Sequence, residues 1–484
     1  MPRLRGVSII TIIALSLIHS TGSVRAQNLG NGWTPPHRLS EAGKISTEGF
    51  MVADQFGYVH VFWYEFDPSM DYSILQYSHY DGDFWTEPVD IFLVPVDASH
   101  AKASPFVDQN GILHLIWSDT FAGPINYSSV PVKEAGSAKN WRTPIQINLP
   151  ASFSKLVVDS NSVLHILYAK VEGDQPGIYY LRSDNNGITW QNPTWLDLDM
   201  PPNLLPNSLE FSLADTDGLH AVWYYEPLDS AGGGQVRYAN SLDGGQNWSF
   251  VTIDEDSEAS GKLRLSVPVL AVNGQTIHII WTSELKRFYT YSDDAGLNWS
   301  SPVQIMGDLE GQAFDGLAVD GDGRVHYLSQ IRYPMAIYHA ILDENGWSVP
   351  SMVYLIQESY DQEIGDRIHA HHVHPAVRSG NQLLITFTDE PGNPDRQLHY
   401  MVNNLDILPS KTQIPIPTAT ENALEYQDQI ISVTTSLVDS GLIIHDLDSS
   451  LREIPASSNA LFFGILPVLM MAGVLLVVYI FRKR

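Results

Sequence analysis

The residues with the densest chemical potential in this chain lie between Glu363 and His374. The run Glu363-Ile364-Gly365-Asp366-Arg367-Ile368-His369-Ala370-His371-His372-Val373-His374 places four imidazoles beside two acids and an arginine. In an extended chain His369 and His371 share one face, and His372 and His374 the other. One face, with Asp366 nearby, has the chemistry for a transition metal or an anion. No spacing here defines a coordination set, so a hydrogen-bonded polar strand is the competing reading, and neither a metal nor a cofactor is assigned. A second group is scattered: the acids Asp119, Glu226, Glu284 and Asp389, and the cations and phenol Lys102, Arg264, Arg287, Arg332, Arg367 and Tyr333. Two carboxylates flanking one bond are what glycoside cleavage needs. Loop acids on a chain this acidic are also simply solvated, and no local motif fixes a catalytic role.

The elements that must carry these residues announce themselves by repetition. A turn containing Asp or Gly, then an aliphatic residue, His and a run ending in an aromatic recurs around His60, His114, His165, His220, His278 and His326, and around Leu384 in a seventh, degenerate copy. Successive copies are 48 to 58 residues apart. Units of about 40–55 residues holding several short strands indicate a β-propeller, in which each blade buries its faces against its neighbours. The histidines occupy one structural position in every blade and cannot converge on one ligand. Each is expected to be packed and hydrogen-bonded to a neighbouring turn.

Within each unit the order is inner strand, D-x-x-G turn, His strand, Tyr strand, Asp-rich turn, Trp strand. The Trp strand occurs at Trp33, Trp85, Trp141, Trp190, Trp248, Trp299 and Trp347. The first copy precedes any blade, and the last Tyr strand, Leu398–Asn404, has no Trp strand after it. The N-terminal strand is therefore expected to complete the last blade and remove its exposed edge. The fold class is all-β: a seven-bladed propeller over residues 27–406.

Two turns read S-x-D-x-G-x-x-W: Ser241, Asp243, Gly245 and Trp248, and Ser292, Asp294, Gly296 and Trp299. A third, from Ser183 to Gly187 and Trp190, carries Asn185 in place of the acid, and a fourth, Ser78 to Trp85, shifts the acid to Asp81. These turns resemble the Asp-boxes, or BNR repeats, of the sialidase-like superfamily. Their chemistry is that of a structural turn: a short side-chain acceptor for turn N–H groups, a glycine at positive φ and a packed indole. The resemblance implies a site on the face opposite the Asp-boxes. It also implies, for a catalytic sialidase, an arginine triad, a Tyr–Glu pair, an Asp acid/base and an early Phe/Tyr-Arg-Ile-Pro motif. That tetrapeptide is absent, and Arg38 falls on the outer closing strand, so no catalytic residue is carried over.

The opposite face collects the connections after the His and Trp strands, and hence Lys102, Asp119, Glu226, Arg264, Glu284, Arg287, Arg332, Tyr333, Arg367, His369, His371 and Asp389 as ligand-binding candidates. Arginines for a sialidase-like clamp would come from Arg264, Arg287, Arg332, Arg367 and Arg396.

The net charge of −28 excludes a nucleic-acid partner. Residues 1–26 read as a signal peptide: Arg3 and Arg5, an apolar stretch, and Val24-Arg25-Ala26 before the cut. Residues 407–459 read as a stalk that begins rich in Pro and Thr. Residues 460–480 carry no charge over a length sufficient for a transmembrane helix, and residues 481–484 end in a basic triplet expected on the cytoplasmic side. The expectation is a single-pass cell-membrane protein with its propeller outside the cytoplasm. It would recognise an extracellular glycan or protein, with a sialidase-like glycoside hydrolase or a surface scaffold as alternatives. Asn126-Tyr127-Ser128 is a glycosylation sequon.

Overall fold

A computed structural model describes residues 32–409 apart from 67–71, 96–101, 229–232, 257–259, 261–262, 264–265, 312, 333–334, 356–372 and 390–396. The segments read from sequence as signal peptide, membrane span and basic tail, and all but the first residues of the one read as a stalk, lie outside this set. Contacts divide the chain at Thr418, and the second unit, from Ala419 onward, is wholly outside it. Among the described residues no helix is long and apolar enough to cross a membrane. The only helical segments described are two 3-10 turns, Val132–Glu134 and Ala138–Asn140, which replace an Asp-box in the second blade.

The described chain forms seven antiparallel sheets. Blade 1 runs from the inner strand Phe50–Ala53, extended by Ile45–Ser46, through Val59–Phe66 and Tyr72–Tyr80 to Val89–Pro95. Blades 2 to 6 repeat the order, with inner strands Lys102–Val107, Phe153–Val158, Leu204–Leu213, Val269–Asn273 and Ala313–Val319. Each inner strand neighbours the next, and the last, His374–Arg378, returns to that of blade 1, so the ring is closed. Closure is completed as the sequence predicts. His37–Arg38 pairs with Gln397–Asn404 as the outer strand of blade 7, with His37 opposite Tyr400 and Trp33 bridged to Asn403.

The repeated histidines are internal, and the structure shows what holds them. In blades 1, 2, 3 and 6 the turn aspartate six residues earlier does two jobs. In blade 1, Asp54 Oδ1 accepts the N–H groups of Phe56 and Tyr58, while Oδ2 meets His60 Nε2 at 3.2 Å. Asp108, Asp159 and Asp320 repeat this with His114, His165 and His326 at 3.5, 3.3 and 3.1 Å. Blades 4 and 5 carry Ala214 and Val272 at that position, so His220 and His278 lack the carboxylate. The sequence analysis missed the second partner. Nδ1 of each histidine meets the hydroxyl of a tyrosine on the next strand: Tyr77, Tyr127, Tyr180, Tyr238 and Tyr289, at 2.6 to 2.9 Å. In blade 6, His339 takes that place.

These tyrosines also fasten one blade to the next. Tyr127, Tyr180 and Tyr238 each press against the box glycine of the following blade, Gly187, Gly245 and Gly296. They also meet its indole edge-on, at 5.8, 5.4 and 4.7 Å for Trp190, Trp248 and Trp299. Trp33 closes the series against His339 at 5.6 Å, so the terminal strand supplies the indole that blade 7 lacks in sequence.

Candidate functional site

The two faces of the ring differ in what their polar groups are doing. The D-x-x-G and Asp-box turns share one, the turn face, and their side chains are engaged within the turns themselves. Asp243 Oδ1 accepts from Gln246 and Asn247 N–H, and Ser241 Oγ accepts from Gly245. Asp294 and Ser292 repeat these bonds, Asn185 and Ser183 form the corresponding ones, and Asp81 accepts from Asp83 and Phe84. Bonds from Asn247 and Asn298 hold the Asp243 and Asp294 carboxyls below the usual range. The structural role expected of the boxes is what the geometry shows.

Both ends of the described chain also lie on the turn face. Trp33 starts the closing strand there, and beyond Asn404 the chain is tied by Leu405 and Ile407 to Asn381 in the blade 7 turn. Among the described residues the opposite, loop face carries the connections between strands.

On the loop face, strand register places one residue per blade at an equivalent level of the central channel, two positions before the partner of the repeated histidine. These residues are Phe50, Ser104, Lys155, Glu210, Val269, Gly316 and His374. Blades 7, 1, 2, 3 and 4 bring polar or aromatic groups, whereas blades 5 and 6 bring small or apolar ones. The polar side is knit together. Glu48, just ahead of the blade 1 inner strand, accepts from Lys102 Nζ and meets His374 Nε2 at 3.3 Å, joining three consecutive blades. Phe50 packs at 5.4 Å from the His374 ring and lies beneath the Lys102 ammonium at 6.0 Å. Lys155 Nζ bonds both carboxylate oxygens of Glu210 at 2.9 Å. The Glu48 side chain is 4% exposed, but Lys102 and His374 keep 32% and 23%, so the cluster is anchored inside and open outside.

Asp119 stands beside this cluster, following Ser118, which pairs with Lys102. Asn126 donates to its Oδ2 at 3.2 Å, the Trp117 side chain also bonds the carboxyl, and burial outweighs both to push its pKa up. The fully buried Tyr64 adjoins both, donating to the Lys102 carbonyl at 3.4 Å; burial, and then the Asp119 charge, raise its pKa far above the ordinary value. Of the candidates read from sequence, Lys102 and Asp119 are thus brought together. Glu226 accepts from Asn207 within blade 4. Glu284 is exposed in the two-residue turn of blade 5, where it and Leu285 both adopt positive φ. Arg287 is not on the surface: it is fully buried between blades 5 and 6 and ion-paired to Asp315 at 3.8 Å. Arg332 and Asp389 end the His-type strands of blades 6 and 7 on the loop face. Arg264, Tyr333, Arg367, Arg396, His369 and His371 lie outside the described residues. Glu48 and His374 are the residues sequence reasoning did not select. Asn126 of the sequon sits in a strand at 6% exposure, bonded to Asp119, which leaves it inaccessible in the folded protein.

Among the described residues no group of three or more His, Asp or Glu has metal-binding geometry. Five further described arginines are engaged: Arg237 with Asp197, Arg182 with Asp184, Arg324 with Asp320, Arg142 with the Asn186 carbonyl and Arg378 with turn-face carbonyls. None of them joins Arg287 in a clamp.

No protein-family profile matches the chain, and no curated protein sequence matches it. Solved structures do. A polysaccharide lyase aligns over 76% of this chain and 100% of its own, with a TM-score of 0.51 and 10% identity. An ulvan lyase of polysaccharide lyase family 25, solved with a bound GlcA(1-4)Rha3S oligosaccharide, aligns over 76% and 96%, with a TM-score of 0.50 and 11% identity. A microbial sialidase aligns over 79% and 97%, with a TM-score of 0.42 and 10% identity. At these identities the likeness is one of fold alone, the propeller architecture shared with the two lyases.

Proposed function

We propose that this chain is a membrane-anchored surface propeller that recognises an extracellular glycan or protein through its loop face. The observation that carries the reading is the Glu48–Lys102–His374 cluster at the channel mouth, anchored inside the ring and partly open outside it. A partly exposed ammonium and imidazole beside an aromatic ring offer hydrogen bonds, charge and a stacking surface to a polar ligand. Both described chain ends are on the other face. The fold shared with two polysaccharide lyases favours a saccharide over a protein. The anchor rests on the uncharged run 460–480 and the basic residues after it.

The test is binding of the detergent-solubilised full chain to a glycan array, together with turnover of a panel of fluorogenic glycosides that includes a sialoside. Lys102→Ala probes the cluster, and Leu242→Ser, on an exposed turn-face residue, is the control. Binding without turnover that Lys102→Ala weakens and Leu242→Ser does not is the expected result. Turnover abolished by Lys102→Ala would make the protein an enzyme acting at the same place. Binding indifferent to Lys102→Ala would remove the cluster from the site.

A further inference from the structure

Residues 39–49 run over the loop face from the closing strand of blade 7 to the inner strand of blade 1, and this strap is fastened on both sides. Toward blade 7, Leu39 N–H donates to the Leu398 carbonyl at 2.8 Å, Leu398 N–H to Ser40 Oγ at 2.9 Å, and Gln397 Nε2 to the Lys44 carbonyl at 3.1 Å. Toward blade 1, Ile45 and Ser46 pair with Phe66 and Glu65. Thr47 N–H donates to the Tyr64 carbonyl at 2.9 Å, and Tyr64 N–H returns a bond to Thr47 Oγ1 at 3.0 Å. The strap ends on Glu48 and Gly49.

Two facing residues of blade 7 grip these two adjacent ones. His374 and Thr386 stand opposite each other in its sheet. His374 meets the Glu48 carboxylate, and Thr386 Oγ1 donates to the Gly49 carbonyl at 2.9 Å. A Cβ on Gly49 would stand 3.1 Å from Thr386 Oγ1 and from the Leu398 methyls, so the strap lies close against blade 7. Thr386 is fully buried, and loss of its hydroxyl takes from the Gly49 carbonyl a donor that no solvent replaces there. Glu48 therefore stands where the strap passes from the bonds of blade 1 to those of blade 7, and from that point it reaches Lys102 in blade 2.

The ring closes where the two ends of its chain meet, residues 33–50 against residues 374–404, and the chain has no cysteine to tie them. We propose that this closure assembles the loop-face cluster. Thr386 is a positioning residue for Glu48, and Lys102 and His374 share one carboxylate only while the C-terminal strands hold the strap. Closure and cluster depend on the same bonds, so they are coupled. By reciprocity, a ligand bridging Lys102 and His374 strengthens closure, and a loosened closure weakens binding; this last step rests on the recognition proposed for the loop face. Lys155 and Glu210 provide an internal comparison, an ion pair between blades 3 and 4, where no chain ends meet.

The experiment is trace acetylation of the detergent-solubilised full chain with acetic anhydride, read at each lysine by mass spectrometry. Lys102 and Lys155 are alike in exposure, 32% and 28%, and each is paired to one glutamate, so the ratio of their labelling isolates the strap. In Thr386→Val the ratio of Lys102 to Lys155 is expected to rise about threefold, the worth of one partly exposed ion pair. Thr386→Ser, which keeps the hydroxyl, is expected to restore the wild-type ratio. Trp33→Ala, which loosens the closing strand from its far end, is expected to raise it as well. An unchanged ratio in Thr386→Val overturns the proposal, whether neither lysine responds or both rise together, as does a rise that Thr386→Ser shares. A wild-type ratio in Trp33→Ala overturns the coupling to closure. Should Thr386→Val not accumulate as folded protein, the wild type is labelled in urea below its unfolding midpoint. Lys102 reacting ahead of Lys155 then supports the proposal, and simultaneous reaction overturns it. No saccharide enters the measurement, so its outcome is separate from whether the chain binds a glycan.

Discussion

Two adjacent glycines in one Asp-box separate the cost of a strained backbone from that of a broken contact between blades. Gly244 and Gly245 both have positive φ, 68° and 84°. A Cβ at Gly244 meets nothing nearer than Arg182 Nη1 at 3.8 Å, whereas one at Gly245 falls 2.1 Å from the Tyr180 hydroxyl of blade 3. Gly244→Ala therefore carries only the left-handed backbone penalty, about 1–2 kcal/mol. Gly245→Ala carries the same penalty and must also expel Tyr180. That residue bonds His165 at 2.6 Å and packs against Trp248. Losing a buried hydrogen bond that leaves its partner unsatisfied costs about 1–3 kcal/mol, and an aromatic pair about 0.5–1.5 kcal/mol. The expected difference between the two variants is thus about 2–4 kcal/mol, measured as urea midpoints at constant m-value. Tyr180→Phe should remove most of the hydrogen-bond part alone. Equal losses for the two glycines, or a larger one for Gly244→Ala, would refute the idea that His–Tyr–glycine contacts join the blades.

Further outcomes follow from the same geometry. His220 and His278 are held at a pKa of about 4 by burial with no turn carboxylate to oppose it. The unfolded value is near 6.5, so their contribution is complete above that pH and declines as pH falls toward 4, by up to roughly 3 kcal/mol each. Urea unfolding between pH 7.5 and 4 checks this, and His220→Gln should flatten the dependence. Trp33→Ala, which removes an indole 6% exposed from the closure of the ring, should cost about 3–5 kcal/mol in the same assay. A loss near zero would mean that the terminal strand does not hold the ring shut. Lys102→Ala should weaken ligand binding at least about tenfold, one lost charge-assisted contact, while leaving the unfolding midpoint within about 1 kcal/mol, because its ion pair is partly exposed. Finally, mass spectrometry of chain expressed in a glycosylating host should find Asn126 unmodified, since its amide is buried.

The sequence by itself determined the ring. The seven-fold repeat, the Asp-box turns and the stray terminal tryptophan each depend on chemistry contained in a few consecutive residues: a side-chain acceptor four residues from its N–H, a glycine where φ is positive, an alternation of apolar positions. Such signals survive without knowledge of anything distant. The histidines could be read as structural for the same reason, since one position repeated around a ring cannot converge on a ligand. The tyrosine that completes each histidine lies 11 to 18 residues away across a strand pair, and only the register shows the two facing each other. The channel mouth was less legible still. Glu48 and His374 are 326 residues apart and meet because the ring closes between blades 7 and 1. Arg287 follows a loop-face turn in sequence, which makes it a ligand candidate, yet alternation along its strand points it into the seam beside Asp315. Which charges face the channel and which are sealed between blades depends on the closure and register of all seven sheets, and no single repeat contains that information.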